Sequence, residues 1–236
     1  ELINELKSGT DLIETSTPDN CYSRPEAMKL LLEQKCLDAG ISVKLHTAVV
    51  EAITDSENIN CVITESSSGP EAHCAAIYID CTGDGDLGAF AGCGYDLGRE
   101  PDGQTQPMSM LALLTGLDFS AVSGFTAHVG SESPYADLLA EMRRAKLNPS
   151  YSRPTLYHLG KNIFCLASNH QYCDEPLSAD AISRATLEAR REINDQINGL
   201  RSLGGVWRNI QLIATSGAIG IREGRRIHGL YKVTKD

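Results

Sequence analysis

Apolar residues recur at helical spacing in three stretches of the chain. Residues 25–40, 133–146 and 178–203 each place an apolar side chain every three or four positions. This period predicts amphipathic helices that bury one face. Before the first stretch, Ser23-Arg24-Pro25-Glu26 has the spacing of a capping box. In that helix the apolar face is predicted to comprise Ala27, Leu30, Leu31, Gln34 and Leu37.

Between the first and second of these helices the pattern alternates with a period of two. It predicts strands over residues 41–45, 47–53, 60–64 and 71–78, with a turn over residues 66–70. Short strands that follow one another through tight turns are typical of a small antiparallel meander. A further strand is predicted over residues 107–114, and another over residues 162–167.

The stretch Ile77–Asp86 reads I-Y-I-D-C-T-G-D-G-D and predicts a buried strand, a turn and the start of a helix. Glycines in such a turn allow a ligand to approach the backbone, and a helix N-terminus offers N–H groups to phosphate oxygens. Asp84 and Asp86 have two interpretations, as helix caps or as acceptors for ligand hydroxyls. The stretch therefore indicates either a nucleotide-binding turn or a plain capped turn.

Composition narrows the classes of partner. The chain has 236 residues and a formal net charge of −10, which argues against nucleic acid or an anionic membrane as the main partner. No apolar run approaches the roughly 20 residues of a membrane-spanning helix. The chain contains eight cysteines, without C-x-x-C or zinc-finger spacing. We therefore expect reduced thiols in a cytoplasmic protein, no disulfide framework and no metal site.

Four blocks in a fixed order carry a resemblance to a known family. They are residues 25–47, the D-x-T-G-D-G-D motif Asp80–Asp86, the D-G-Q-T-Q-P-M loop 102–108, and residues 220–231. With these blocks the chain resembles bacterial FAD-dependent oxidoreductases of the glutathione-reductase-like flavin fold. The residues of the long helix, 178–203, match as well.

The resemblance implies a mixed α/β fold in which successive segments of the chain form different domains. Residues 1–96 are expected to form a partial FAD/NAD(P)-binding-type domain with the small antiparallel meander. Residues 97–215 are expected to form an inserted α+β substrate domain, and residues 216–236 to return towards the FAD domain. Such enzymes begin with a G-x-G-x-x-G unit that holds the pyrophosphate. That motif is absent from this sequence, so an internal fragment is expected.

The same resemblance implies cofactor-binding residues. Val49 matches a strand position that contacts adenine through the backbone. The turn would line the pyrophosphate and ribityl part of FAD with Thr82, Gly83, Asp84, Gly85 and Asp86. Gln106 lies where the chain leaves for the substrate domain, close to the isoalloxazine in similar proteins.

Candidate catalytic residues follow from charge and chemistry. Arg222 and Arg225, in a cluster with Glu223 and Arg226, would bind an anionic substrate or stabilise a reduced, anionic flavin, because a guanidinium meets such groups with paired donors. The alternative is a structural ion-pair network with Glu223 and nearby carboxylates. His170 is a candidate general acid or base, with a structural hydrogen-bonding role as its alternative.

These residues predict part of an enzyme that transfers a hydride equivalent between a small organic substrate and FAD. The first alternative is a non-catalytic folded module that cannot hold FAD by itself, because the G-x-G-x-x-G motif is missing. A second alternative is a nucleotide-binding α/β protein built on the Thr82 turn alone. It leaves the meander and the arginine cluster without an explanation.

Overall fold

A computed structural model of the chain describes residues 12–14, 21–56, 58–127 and 133–231. The chain divides into two compact units. The first unit comprises residues 1–41 and 107–221, and the second unit comprises residues 42–106 and 222–236. The functional division at residues 96 and 215 stays a prediction. A helix at residues 1–7, indicated by the sequence E-L-I-N-E-L-K, lies outside the described residues.

The described residues form both helices and strands. The helices are α1 (Pro25–Asp38), α2 (Asp86–Phe90), α3 (Phe119–Val122), α4 (Pro134–Arg144) and α5 (Ala179–Ser202), with short 3-10 turns at Ser123–Phe125 and Gly205–Trp207. The strands are β1 (Leu12–Glu14), β2 (Cys21–Ser23), β3 (Ala48–Asp55), β4 (Asn58–Ser66), β5 (Gly69–His73), β6 (Tyr95–Asp96), β7 (Leu111–Thr115), β8 (Thr155–His158), β9 (Phe164–Ala167), β10 (Gln211–Thr215) and β11 (Arg226–Ile227).

The first unit has a four-stranded antiparallel sheet in the order β10-β7-β9-β8. The long helix α5 contributes five of its apolar side chains to the core, as the helical period predicted: Ala185, Ala189, Ile193, Ile197 and Leu200. Trp207 and Phe164 are the largest fully buried side chains of this core. Full burial of an aliphatic side chain contributes about 1.5 to 3 kcal/mol, so this face holds the helix in place.

Helix α1 forms where the sequence predicted it, but its apolar face is not covered. None of its residues is buried within the described part of the chain, and Leu30 and Leu37 are 66% and 63% exposed. The predicted capping box is also wrong, because Arg24 is the N-cap residue and makes no side-chain cap. Spacing decides which side chains share a face, whereas contact with a second element decides whether that face is buried.

The second unit contains the predicted meander. Strands β3, β4 and β5 pair in sequence order, and both ladders are antiparallel. The mixed helix and strand content, with small antiparallel sheets, agrees with the predicted mixed α/β class.

Two strand predictions between α1 and α2 are wrong. Residues 41–45 and 77–80 form no strand, and Ile77 and Ile79 are 78% and 80% exposed. A strand exists only through hydrogen bonds to a neighbour, and the described residues provide no neighbouring strand for either segment. The apolar content of these segments identified them as strand-like but supplied no partner.

A short antiparallel ribbon brings the end of the chain back to the second unit. Strand β11 pairs with β6 through Arg226 opposite Asp96 and Ile227 opposite Tyr95. This pairing places residues 224–228 beside the turn that leads into α2. Among the described residues, no helix is both long enough and apolar enough to cross a membrane.

Candidate functional site

The turn before α2 is organised by the carboxylate of Asp80. Its Oδ1 accepts hydrogen bonds from the Thr82 amide at 2.9 Å and from the Thr82 hydroxyl at 2.7 Å. Its Oδ2 accepts one from the amide of Gly88 at 3.0 Å. Burial opposes ionisation of this carboxyl, but the hydrogen bonds outweigh it and lower the pKa of Asp80. Asp80 thus connects the entry of the turn to the first residues of the helix.

The helix start is capped by a residue that the sequence did not single out for that role. The Thr82 hydroxyl accepts a hydrogen bond from the Asp86 amide at 2.9 Å. Gly85 is the N-cap residue, with a left-handed φ of 66°, and no side-chain cap acts there. Asp84 and Asp86 are therefore not helix caps, and their role as acceptors for ligand hydroxyls stays a prediction.

Arg225 lies against this turn. Its Nη1 donates to the Asp84 carbonyl oxygen at 3.1 Å and to the Asp86 carboxylate at 2.8 Å. Its guanidinium carbon lies 5.4 Å from the centre of the Tyr95 ring. The Arg225 Nε is buried and has no hydrogen-bond partner among the described residues. A buried N–H without an acceptor costs about 1 to 3 kcal/mol, so this atom points to a missing acceptor.

Close backbone contact makes this placement of Arg225 possible. A Cβ added at Gly224 would lie 2.4 Å from the Asp84 Oδ1 and 2.5 Å from the Asp84 Cα. Only glycine fits at such a distance, and the approach lets the Arg225 amide donate to the Asp84 carbonyl oxygen at 3.3 Å.

A cavity of about 530 Å³ opens at this turn. It is lined by Asp80, Cys81, Gly83, Gly85, Gly88, Arg225 and Ile227. Burial raises the pKa of the Asp84 carboxyl, the Asp86 charge raises it further, and Arg225 partly offsets both. The Asp86 charge is paired with Arg225. The cavity wall therefore combines the partly unsatisfied Arg225 guanidinium with the hydrogen-bonded Asp80 carboxylate.

The structure brings most of the predicted cofactor-binding residues together at this turn. Gly83 and Gly85 line the cavity, and Thr82, Asp84 and Asp86 make the hydrogen bonds and contacts described above. Val49 is half-buried on β3 opposite Thr64 and is not among the residues that line the cavity.

Gln106, another predicted residue, belongs to a neighbouring polar cluster of the second unit. Its backbone N–H donates to the Glu223 carboxylate at 2.9 Å, and Glu223 also pairs with Arg226. Arg226 in turn donates to the carbonyl oxygen of Gly98. For Arg226 and Glu223 the geometry is that of an ion-pair network. Arg222 lies in the loop just before this pair.

His170 lies in the first unit, within an aromatic cluster. Its ring packs against Tyr151 at an interplanar angle of 31° with 4.1 Å between centroids, and meets the edge of Tyr172 at 6.4 Å. Its amide donates to the Ser150 hydroxyl oxygen at 2.8 Å, and the Ser150 hydroxyl donates to Glu192 at 2.7 Å. The cluster holds the backbone of His170 in a fixed position.

Sequence reasoning did not single out Asp80, Gly224 and Tyr95 of the turn site, nor the cavity-lining residues Cys81, Gly88 and Ile227. The D-x-T spacing signals Asp80, because a carboxylate two residues before a threonine can form a local hydrogen-bonded turn. Gly224 and Tyr95 carry no such signal, since their contacts join distant parts of the chain. Within the residues that the structure describes, no group of three or more His, Cys, Asp or Glu side chains is arranged to hold a metal ion.

Comparison with known families gives a match over the whole chain. The model of a family described as FAD dependent oxidoreductase matches residues 1–236. FAD is the cofactor of that family. Among curated proteins, no relative matches the sequence.

Two solved structures are similar to this chain at low sequence identity. The OxyS anhydrotetracycline hydroxylase from Streptomyces rimosus has a TM-score of 0.45 and 14% identity, over 93% of this chain and 37% of that protein. A triple mutant of the flavin-dependent brominase Bmp2 has a TM-score of 0.48 and 12% identity, over 90% of this chain and 48% of that protein. The chain thus spans less than half the length of either protein.

Proposed function

We propose that this chain, which belongs to the FAD dependent oxidoreductase family, is part of an enzyme that transfers a hydride equivalent between a small organic substrate and FAD. The observation that carries the proposal is the family match over residues 1–236. The turn site supports the proposal, because the buried Nε–H of Arg225 has no acceptor among the described residues. The phosphate oxygens of a cofactor are acceptors of the kind that a guanidinium binds.

The residues of the turn fit FAD in two respects. The buried Nε of Arg225 lacks an acceptor among the described residues, and an anionic oxygen of the cofactor would supply one. Ligand hydroxyls would donate to the carboxylate of Asp84, which accepts hydrogen bonds only.

Bound FAD would supply the isoalloxazine that accepts or donates the hydride equivalent. The chain's own residues would bind and orient it. Asp80 fixes the turn through its hydrogen bonds to Thr82 and Gly88, so that the ligand-facing groups are held before binding. Such preorganisation lowers the entropic cost of binding.

For the substrate, we propose a small molecule, with an anionic one favoured by the arginine cluster. Arg222 and Arg225 are the proposed anion-binding residues, and Gln106 is proposed to contribute near the flavin ring. His170 is proposed as a general acid or base, held by the Ser150–Glu192 contacts. In the complete enzyme, His170→Gln should remove one limb of the pH profile of kcat/KM if His170 carries the proton.

Titration of FAD into the 236-residue chain by calorimetry tests the turn site. Stoichiometric binding is expected, and Arg225→Ala should weaken it by about 1.5 to 3 kcal/mol, the range for a charge-assisted hydrogen bond. The control is Arg208→Ala, which removes an exposed arginine of the first unit and should leave the affinity unchanged.

The same titration separates the alternative, a folded module that cannot hold FAD by itself. The absence of G-x-G-x-x-G from the sequence favours this alternative. It predicts no heat of binding in the 236-residue chain, together with flavin absorbance in the complete natural protein purified in the dark. If the complete protein neither carried flavin nor took up added FAD, the flavoenzyme proposal itself would fail.

A further inference from the structure

Two cysteines of the meander lie opposite each other on adjacent segments of chain. In the ladder between β4 and β5, Val62 pairs with His73. The next positions outward are therefore Cys61 and Cys74. Residues directly opposite in an antiparallel pair have Cβ atoms about 4.5 to 5.5 Å apart and project to the same face. The Cys74 thiol is close enough to contribute to the raised pKa of the Cys61 thiol, and both thiols are free.

The backbone on both sides of this pair is held by one tyrosine. The Tyr78 hydroxyl accepts a hydrogen bond from the Ala75 amide at 2.8 Å. It also lies 3.0 Å from the carbonyl oxygen of Asn60 and 3.3 Å from that of His73, in position to donate to them. Asn60 precedes Cys61, while His73 and Ala75 flank Cys74. The geometry that brings the two sulfur atoms together is thus fixed from both strands.

Directly opposed positions of an antiparallel ladder have the spacing that a disulfide bond requires. Disulfides need Cα atoms about 4.4 to 6.8 Å apart, and directly opposed residues of an antiparallel ladder have Cα atoms about 4.5 to 5.5 Å apart. No movement of the backbone to a new register is required.

We propose that Cys61 and Cys74 form a redox-active dithiol site that undergoes thiol–disulfide exchange with low-molecular-weight disulfides such as oxidised glutathione. This inference does not depend on FAD. It also goes beyond the expectation from the sequence, which was reduced thiols and no disulfide framework.

The two thiols have different exposure, which sets the order of the exchange. Cys74 is exposed and Cys61 is half-buried. Burial raises the pKa of the Cys61 thiol, with the neighbouring Cys74 as the next contribution, so Cys61 is the less reactive of the two at the start. Cys74 is the first nucleophile and Cys61 is the resolving thiol.

The exchange balances without a further reagent. The Cys74 thiolate attacks one sulfur of the external disulfide, which forms a mixed disulfide and expels one external thiolate. The Cys61 thiolate then attacks the Cys74 sulfur and expels the second external thiolate. The two protein thiols lose two electrons and the external disulfide gains them. The two thiol protons pass to solvent or to the expelled thiolates.

Peptide mapping after equilibration of the full chain with oxidised and reduced glutathione tests the site. Cleavage after glutamate and aspartate separates residues 58–65, which contain Cys61, from residues 72–80, which contain Cys74. We expect these two peptides joined by a disulfide, with both thiols lost to alkylation together. Because the second step is intramolecular, the internal disulfide should exceed the mixed disulfide at Cys74 by about ten-fold or more.

Serine variants test the order of the two steps. Cys61→Ser should accumulate the mixed disulfide at Cys74, whereas Cys74→Ser should leave Cys61 largely unmodified. Cys81→Ser and Cys93→Ser remove two other thiols of the second unit and should leave the Cys61–Cys74 cross-link intact. Independent glutathione capping of both thiols, or a cross-link from Cys74 to Cys81, in the unsubstituted chain would overturn the proposal.

Discussion

A single carboxylate holds the turn of the second unit. Asp80 accepts two hydrogen bonds from Thr82 and one from the Gly88 amide, and the lowered pKa of its carboxyl follows from these bonds. The carboxylate is thus more stable as an anion in the folded chain than in the unfolded one. At the scale of the residue, this is the contact on which the geometry of the site depends.

Replacement of Asp80 should expose that dependence. Asp80→Ala removes the acceptor of three hydrogen bonds and should lower the free energy of unfolding by about 1 to 3 kcal/mol. Asp80→Asn keeps one acceptor oxygen and should cost less. Urea unfolding followed by circular dichroism measures both. Asp195→Ala, at an exposed position of α5, is the control and should stay within about 0.5 kcal/mol of the unsubstituted chain.

The effect of Asp80 on stability should depend on pH. The folded-state pKa of Asp80 is lowered, so its contribution is present above the ordinary value of 3.8 and is lost as the pH falls through the folded-state value. The difference between Asp80→Ala and the unsubstituted chain should therefore shrink as the pH falls below about 4. A difference that stayed constant as the pH fell well below that value would contradict the assigned hydrogen bonds.

At the scale of elements, α4 is joined to the 3-10 turn Gly205–Trp207 by one polar contact. The indole N–H of the buried Trp207 donates to the Glu141 carboxylate at 2.7 Å, and Arg144 pairs with the same carboxylate. The hydrogen bond from Arg144 is the main cause of the lowered pKa of Glu141, burial opposes it, and the bond from Trp207 adds to it.

Glu141→Ala should loosen this connection. The variant leaves the buried indole N–H without its acceptor, and we expect a loss of about 1 to 3 kcal/mol in unfolding free energy. Trp207 is the only tryptophan of the chain, so its fluorescence reports directly on this contact. Glu141→Gln, which retains an acceptor, should lose less. Glu188→Ala on the exposed side of α5 is a matched control, and an equal loss there would contradict the prediction.

At the scale of the whole molecule, opposite shifts of pKa limit stability at both ends of the pH range. Hydrogen bonds from the Arg99 side chain and from the backbone N–H of Gln104 lower the pKa of Asp102 to about 2. The pKa values of Asp80 and Glu141 are lowered as well. These carboxylates stabilise the fold above their ordinary pKa values, and this contribution disappears in acid. Burial raises the pKa of the Cys165 thiol to about 11, which has the opposite consequence.

The Cys165 thiol should make the fold sensitive to alkali. Its stabilising contribution is complete below the unfolded-state value of 9.0 and is lost as the pH rises towards about 11. A shift of this size corresponds to about 3 kcal/mol. Unfolding free energies measured between pH 8 and pH 11 should fall less steeply in Cys165→Ala than in the unsubstituted chain. Cys93→Ala, at an exposed cysteine, should retain the full slope.

The elements differ in how well the sequence alone predicted them. Helix α5 and its buried face were predicted because its period repeats over 24 residues. The meander was predicted because its strands are adjacent in sequence and pair locally. The segment 77–80 was predicted as a buried strand and is exposed, since burial depends on what packs against a segment and not on its own composition.

The candidate site shows the same division. The D-x-T-G-D-G-D motif located the turn, because the hydrogen bonds that Asp80 accepts from Thr82 and Gly88 span only a few residues. Arg225 was singled out from the sequence for its charge, yet its position beside Asp84 and Asp86 follows from contacts across about 140 residues of chain. No local sequence pattern predicts a contact between residues so far apart in the chain.

By itself, the sequence determined the helical periods, the meander and the turn at residues 80–86, because each depends on interactions between near neighbours in the chain. Only the tertiary structure decided that Leu30 and Leu37 of α1 are exposed, that the Arg225 Nε at the turn has no acceptor among the described residues, and that the register of β4 and β5 brings Cys61 and Cys74 to the same end of their ladder. Each of these results depends on which distant segment occupies the adjacent space, and sequence periodicity carries no information about that neighbour.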